Sequence, residues 1–207
     1  MTVPVAGVAG LVLTGGASRR MGTDKAMLKV EGAELAPRAG AVLAAVTAPA
    51  LEAGPGRSGL PVVPEPFPGQ GPMVALAAAW TELSARGHLG PVVVLACDLP
   101  LVDEPLLRLL ASWPTSDSVV PVVDGHPQPL CARLSPAALD LAAVLASAPA
   151  AGPRSHRSHR SLRSLLAATP VTWLGPAEWG PVASPRSFAD VDRPTDLDAL
   201  GLRWSPA

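Results

Sequence analysis

Short apolar runs alternate with longer segments of helical periodicity along the chain. Apolar and β-branched runs predict strands, while apolar residues three and four apart predict amphipathic helices. The predicted strands cover residues 8–13, 60–63, 90–97, 118–123, 128–134 and 171–174, with a short extended piece over 26–30. The predicted helices cover residues 35–46, 72–86, 101–113, 136–148, 164–168 and 195–200. A second strand is expected between residues 47 and 59, but no pattern there fixes its position. Because strands and helices alternate, we predict an α/β fold with a mostly parallel sheet, in a single domain spanning residues 1–207.

Four residues mark the ends of these helices. Pro72 opens one helix and Gly87 lies just beyond its end, which is the usual placement of proline and glycine. Ser135 and Thr195 are predicted N-caps, because a hydroxyl oxygen can accept a hydrogen bond from the amides of the first turn.

The first strand ends in the pair Gly15–Gly16. Glycine lets a bulky ligand approach the backbone and permits positive φ. A hydroxyl and three cations follow within the next ten residues, namely Ser18, Arg19, Arg20 and Lys25. Amides in such a turn point at phosphate oxygens while Arg and Lys neutralise the charge, so the segment predicts a polyphosphate site. The alternative is a glycine turn with solvated surface charges. The spacing fits neither the P-loop nor the dinucleotide Gly-x-Gly-x-x-Gly pattern.

A carboxylate, Asp98, follows the fully apolar strand of residues 90–97. Ligands of parallel sheets bind at the carboxyl ends of strands, where both Asp98 and the glycine pair are predicted to lie. Asp98 is predicted either to bind Mg²⁺, which takes one or two protein carboxylates, or to cap the next helix. The neighbouring Cys97 is expected to pack rather than react, because Asp98 disfavours a thiolate.

The overall composition narrows the classes of partner. A net charge of −1 and 3% aromatic residues without tyrosine give no reason to expect a nucleic-acid partner. No run reaches about 18 apolar residues, so no membrane span is expected. The N-terminus lacks the pattern of a secretory signal, and the two cysteines form no spaced framework, so we expect a cytoplasmic protein. The basic run 154–163 is predicted to be a solvated loop, or else to contact the phosphate of an anionic substrate.

The segment from Leu13 to Lys25 reads Leu-Thr-Gly-Gly-Ala-Ser-Arg-Arg-Met-Gly-Thr-Asp-Lys. This long pattern resembles the signature of the molybdenum cofactor guanylyltransferases, although Thr14 stands where the most frequent form has Ala. The resemblance implies a three-layer Rossmann-like domain of the nucleotide-diphospho-sugar transferase type. It also implies a nucleotide site formed by the strand end and the turn, with Leu13, Thr14, Gly15, Gly16, Ser18 and Lys25 among its residues.

Later segments extend the resemblance around the pocket. Gly71 and Pro72 match a segment that lines the base and ribose side, although Ala75 stands where relatives have Gly. Glu65 falls where family members often have an Asp near the nucleotide. Residues 128–130 match the region that contacts the acceptor substrate.

The segment 188–197 resembles the family's Phe-x-Asn-Val-Asn-Thr-Pro-Glu-Asp-Leu, with Asp190 and Asp192 in place of amide residues. Asp192 is predicted either to add a second carboxylate to the metal or to cap the last helix.

The resemblance implies transfer of GMP from GTP to the terminal phosphate of molybdenum-carrying molybdopterin, with release of pyrophosphate. The expected cofactor is Mg²⁺, while Arg20 and Lys25 offset phosphate charge beside Asp98. A molybdoenzyme or a cofactor-insertion protein is the expected further partner. The alternatives are a CTP-dependent molybdopterin cytidylyltransferase, a transferase for another small phosphate, or a nucleotide-binding adaptor without catalysis. The glycine pair after Leu-Thr favours the guanylyl branch, and the presence of Lys25 and Asp98 argues against the adaptor.

Overall fold

A central sheet carries the carboxyl-terminal strand ends that the sequence singles out. The computed structural model describes residues 2–15, 25–63, 70–147 and 161–205. The strands are β1 (Ala9–Leu13), β2 (Lys29–Val30), β3 (Ala33–Glu34), β4 (Ala50–Ala53), β5 (Val62–Val63), β6 (Val92–Ala96), β7 (Ser118–Val123), β8 (His126–Pro127), β9 (Cys131–Leu134), β10 (Val171–Leu174) and β11 (Trp204–Ser205).

The helices connect these strands. They are α1 (Leu35–Ala44), α2 (Pro72–Ala85), α3 (Glu104–Ser112), α4 (Pro136–Ser147), α5 (Leu162–Ala167), α6 (Pro176–Trp179) and α7 (Pro194–Ala199), with 3₁₀ turns at Lys25–Met27 and Pro185–Phe188. Among the described residues, no helix is long and apolar enough to cross a membrane.

The main sheet has the order β10-β7-β9-β6-β1-β4-β5, and β8 pairs with β7 at its side. Strand β9 runs antiparallel to both of its neighbours, while β10, β7, β6, β1, β4 and β5 are parallel. The prediction of a mostly parallel α/β sheet is therefore confirmed.

Apolar side chains alternate between the two faces of the sheet, as the pleat of a strand requires. On one face Leu11 packs in a cluster with residues of α2, α4 and α5. On the other face Val12 packs in a second cluster with residues of α1 and α3. The sheet thus lies between two helical layers, and both faces of its central strands are buried, as is usual for parallel sheets.

A small second sheet joins the two ends of the chain. Its order is β11-β2-β3, and Val30 of β2 pairs antiparallel with Trp204 of β11. Beneath it lies a cluster of buried residues that we call the C-terminal cluster, consisting of Leu28, Val30, Leu35, Val191 and Leu197.

The strand expected between residues 47 and 59 is present as β4, where the buried Glu52 interrupts the apolar pattern that would have given its position. Two local predictions need correction. Helix α3 begins at Glu104 rather than near residue 101, because the Asp103 carboxylate accepts a hydrogen bond from the Leu106 amide. Thr195 does not cap α7; the Asp196 carboxylate accepts hydrogen bonds from the Asp192 and Arg193 amides instead.

Several helix ends are as predicted. Pro72 opens α2, and Gly87 follows its end with φ +83°. The Ser135 hydroxyl accepts a hydrogen bond from the Ala138 amide at the start of α4. A turn at Asp124–Gly125 joins β7 to the two-residue β8, and β9 then lies between β7 and β6.

Candidate active site

The ends of strands β1 and β6 meet at one edge of the sheet. Leu13 pairs with Ala96 in parallel register, and the Cys97 amide donates to the Leu13 carbonyl at 3.1 Å. Thr14 and Gly15 follow β1 directly, and Asp98 follows β6 two residues after its end. Gly15, with which the predicted glycine turn begins, and Asp98 therefore follow neighbouring strands of the sheet.

Lys25 connects Asp98 with a carboxylate from the far end of the chain. Its Nζ atom lies 2.8 Å from Asp98 Oδ2 and 2.7 Å from Asp192 Oδ1. The Lys25 side chain is 12% exposed, whereas Asp98 and Asp192 are 26% and 51% exposed. The cluster is therefore open to a ligand on its carboxylate side and closed around the lysine.

The capping alternatives for the two carboxylates do not hold. Asp103 accepts the hydrogen bond at the start of α3, and Asp196 accepts those at the start of α7. The carboxylates of Asp98 and Asp192 contact Lys25 instead.

Charge and burial act against each other at Lys25. Burial lowers the pKa of the ammonium group, but the attraction of Asp98 and the hydrogen bonds to Asp192 and Asp98 outweigh it, and the pKa is raised. A third carboxylate, Asp190, has a raised pKa because of partial burial and the charges of Asp98 and Asp192. Among the described residues of this cluster, three carboxylates therefore accompany one ammonium group.

The segment around Asp192 is fixed to the end of β6. The amide of Val191 donates to the carbonyl of Asp98 at 3.0 Å, and the Val191 side chain is fully buried in the C-terminal cluster. This backbone contact places Asp190 and Asp192 on either side of an anchored residue.

Cys97 packs against the core as expected. It is buried, and burial together with the charge of Asp98 raises the pKa of its thiol to about 12. The thiol is therefore protonated at neutral pH.

Gly71 and Pro72 begin α2, the helix that follows β5. Gly71 has φ +95°, a conformation that favours glycine, and Pro72 occupies the first turn. Met73 lies in the same buried cluster as Leu13, so the start of α2 packs near the end of β1. Ala75, at the position where relatives have Gly, is buried with them.

The predicted acceptor segment, residues 128–130, lies beside β6 on the side away from β1. The Ala96 amide donates to the Leu130 carbonyl at 2.8 Å, and the Cys131 amide donates to the Gln128 carbonyl at 3.1 Å. Residues 128–130 therefore run beside the end of β6.

Glu52 was not predicted as a site residue. It is fully buried on β4, and its carboxylate accepts hydrogen bonds from the Thr14 hydroxyl and from the loop that follows β4. A charged residue in an otherwise apolar four-residue strand is the sequence signal that could have found it.

Some predicted residues lie outside the described part of the chain. These are Gly16, Ser18, Arg20 and Glu65, together with residues 154–160 of the basic run. Within the described ranges, no group of three or more His, Cys, Asp or Glu side chains is arranged to hold a metal ion by itself.

The fold is that of an α/β protein with a mostly parallel sheet, and the lysine–carboxylate cluster of Lys25, Asp98 and Asp192 lies at the carboxyl edge of this sheet. The chain belongs to the family of the MobA-like NTP transferase domain, whose family model matches residues 10–184.

Named relatives agree with this assignment. A probable molybdenum cofactor guanylyltransferase from Chloroflexus aggregans is 32% identical over 207 residues, covering 92% of this chain and 91% of that protein. One from Pelotomaculum thermopropionicum is 35% identical over 132 residues, covering 61% of this chain and 62% of that protein. The solved structure of molybdopterin-guanine dinucleotide biosynthesis protein A from Archaeoglobus fulgidus superposes with a TM-score of 0.72. It is 21% identical and covers 92% of this chain and 95% of that one, so it supports the fold.

Proposed function

We propose that this chain transfers GMP from GTP to the terminal phosphate of the molybdenum-carrying molybdopterin cofactor and releases pyrophosphate. The observation that carries this proposal is the bridge from Lys25 to Asp98 and Asp192 beside the Thr14–Gly15 turn. The names of the relatives support GTP and the pterin as substrates.

The reaction requires positioning and charge neutralisation more than covalent participation of the protein. An oxygen of the acceptor phosphate attacks the α-phosphorus of GTP, the bond from that phosphorus to the bridging oxygen breaks, and pyrophosphate departs. The attacking phosphate is already an anion, so no general base is needed. Lys25, with Arg20, is proposed to offset the charge that grows on the α-phosphate and the leaving pyrophosphate.

The proposed cofactor is Mg²⁺, with Asp98 as its ligand and Asp192 as a second one. The donor set fits this ion, because one oxygen of each carboxylate already flanks a single cationic atom, Lys25 Nζ. Mg²⁺ usually takes one or two carboxylates and completes its shell with phosphate oxygens and water. When bound, it would supply charge neutralisation at the phosphates.

The remaining nucleotide contacts are proposed for the glycine-rich segments. Leu13, Thr14, Gly15, Gly16 and Ser18 would receive the phosphates and the near side of the nucleoside. Gly71, Pro72 and Glu65 would face its base and ribose. Residues 128–130 would meet the acceptor.

An assay of pyrophosphate release tests the function. The purified chain is incubated with molybdenum-carrying molybdopterin, Mg²⁺ and each of the four ribonucleoside triphosphates in turn. We expect release with GTP. Release with CTP alone would identify a cytidylyltransferase, and triphosphate binding without release would identify an adaptor.

The reaction is proposed to take place in the cytoplasm, with the product passing to a molybdoenzyme or a cofactor-insertion protein. Both cysteines are free and buried, which suits a reducing compartment. Fractionation of host cells tests the location, and co-purification with the product-loaded chain tests the partner.

A further inference from the structure

Glu52 is a fully buried carboxylate surrounded by hydrogen-bond donors. Its Oε1 accepts from the Thr14 hydroxyl and from the amides of Gly56 and Arg57, both at 2.8 Å. Its Oε2 accepts from the amide of Ser58 at 2.7 Å and from the Ser58 hydroxyl at 2.6 Å. Burying a charge is costly unless it is fully hydrogen-bonded, and five donors meet that requirement here.

These donors come from two separate segments. Thr14 follows β1, whereas residues 56–58 form the loop after β4. The two segments also touch directly, because a Cβ atom added to Gly54 would overlap the Thr14 hydroxyl and lie 3.0 Å from the Gly15 amide. Glu52 therefore holds the turn and the loop together as one unit.

The unit lies on the opposite side of β1 from the lysine–carboxylate cluster. Strand β1 pairs with β4 on one side and with β6, which leads to Asp98, on the other. The Thr14–Gly15 turn is thus supported by Glu52 from the β4 side, while the groups that act on phosphate lie on the β6 side.

We propose that Glu52 is a positioning residue for the nucleoside triphosphate: through the Thr14 hydroxyl it fixes the turn that receives the nucleotide against the 54–58 loop. This proposal rests on the proposed function for the identity of the ligand. Because this network lies on the β4 side of β1 and Asp98 follows β6 on the other side, we expect its loss to change triphosphate binding more than the chemical step.

The sharpest variant is Thr14→Val, which keeps the shape of the side chain and removes only the hydroxyl that joins the turn to Glu52. Thr14→Ser restores a hydroxyl. Thr47→Val is the matched control, because Thr47 is also buried and its hydroxyl donates to the Leu43 carbonyl at 2.9 Å, at the other end of β1. Glu52→Gln is the complementary variant, since its amide nitrogen must face one set of donors.

For Thr14→Val we expect the KM for GTP to rise about tenfold, the size expected when one hydrogen bond to a charged group is lost, with kcat within threefold of the parent. Thr47→Val should keep the parent KM, and Thr14→Ser should recover most of the binding that Thr14→Val loses. In the double variant Thr14→Val/Glu52→Gln, the KM effects should be far from additive, because both changes break one link.

The outcome separates this proposal from the proposed function. If the parent protein turns over GTP and the KM of Thr14→Val equals that of Thr47→Val, the positioning role is overturned and the proposed function stands. Titration calorimetry gives the second readout. If the parent protein binds triphosphate but releases no pyrophosphate, and Thr14→Val binds the triphosphate more weakly, the positioning role is supported and the transferase function is rejected. A parent that binds no triphosphate would overturn both.

Discussion

At the scale of single residues, Lys25 is held in place by the opposite charges of Asp98 and Asp192. Its raised pKa means that the ammonium group keeps its proton below about pH 10.5, and that its contribution to stability is lost as the pH rises through the folded value. The lysine is therefore a permanent cation at physiological pH. Two carboxylates keep it aimed at the point where phosphate charge is proposed to develop.

Replacing Lys25 should remove catalysis and leave the fold intact. For Lys25→Ala we expect turnover to fall by at least about 10²-fold, because a positioned cation typically contributes a few kcal/mol to transition-state stabilisation. Steady-state pyrophosphate release measures the effect, and circular dichroism checks the fold. Lys29→Ala is the control, since Lys29 is an exposed lysine four residues away in β2. Turnover within a few-fold of the parent would remove Lys25 from the mechanism.

One substitution can distinguish whether Asp192 binds Mg²⁺ or only holds Lys25 in position. Asp192→Asn keeps an oxygen that can accept from Lys25 but loses the charge that favours Mg²⁺. If Asp192 is a metal ligand, the Mg²⁺ concentration that gives half-maximal activity should rise several-fold. An unchanged Mg²⁺ dependence with reduced kcat would mean that Asp192 acts only on the lysine.

Glu52 should make the free energy of unfolding decrease as the pH falls into the acid range. Burial alone would raise its pKa, but the hydrogen bonds from Ser58, Thr14 and the loop amides outweigh it, and the pKa is lowered. A lowered pKa contributes stability above the unfolded value of about 4.3, and this contribution is lost as the pH falls through the folded value. Denaturation of the parent and of Glu52→Gln between pH 3 and 7 should give a stability difference that narrows below about pH 4.5. A difference that is constant with pH would show that folding does not shift the pKa of Glu52, and would contradict the hydrogen-bonded carboxylate described above.

At the scale of elements, the C-terminal segment packs against the segment of Lys25, although the family model ends at residue 184. Strand β11 pairs with β2, and Val191 and Leu197 pack on Leu28, three residues after Lys25. The segment that carries Asp192 and the segment that carries Lys25 therefore share one apolar cluster.

Weakening the C-terminal cluster should change GTP binding at the candidate active site. Leu197 is fully buried, so Leu197→Ala should cost about 2–5 kcal/mol locally and also raise the KM for GTP. Leu139→Ala, a substitution of a leucine that is 1% exposed on α4, should cost a similar amount without changing the KM. Chemical denaturation and steady-state kinetics on both variants make the comparison. Equal KM values for GTP in Leu197→Ala and Leu139→Ala would show that the C-terminal cluster contributes to stability alone.

The elements also show where sequence patterns are sufficient. The apolar run of β6 and the Pro72 and Gly87 signals of α2 are local, and these elements lie within two residues of their predicted bounds. Strand β4 was expected, but its position could not be predicted, because that position depends on pairing with β1 and on donors that reach Glu52 from other segments. The cap of α7 was misassigned because Thr195 and Asp196 both qualify locally, and only the fold selects the carboxylate.

At the scale of the whole molecule, ligand binding should be visible as added stability. A ligand that binds only the folded chain adds about 2.7 kcal/mol at one hundred times its Kd, which corresponds to a Tm increase of about 5–10 °C at this chain length. We expect this shift with GTP and Mg²⁺ in a thermal melt, a smaller one with CTP, and little with GTP in Asp98→Ala. Equal shifts with all triphosphates would contradict a preference for guanine.

The sequence by itself determined the class of fold, the glycine turn after the first strand, the cation at Lys25 and the carboxylate at Asp98. These features follow from short-range periodicity and from residue types whose chemistry is fixed wherever they lie. Only the tertiary structure decided that Lys25, Asp98 and Asp192 meet, because Asp98 and Asp192 lie 73 and 167 positions from Lys25 in the sequence. The hydrogen bond from the Val191 amide to the Asp98 carbonyl and the apolar packing of Leu28 with Val191 bring the three segments together. The tertiary structure also decided that the Glu52 carboxylate can be buried, because its hydrogen-bond donors come from two segments that are neighbours only in the folded sheet.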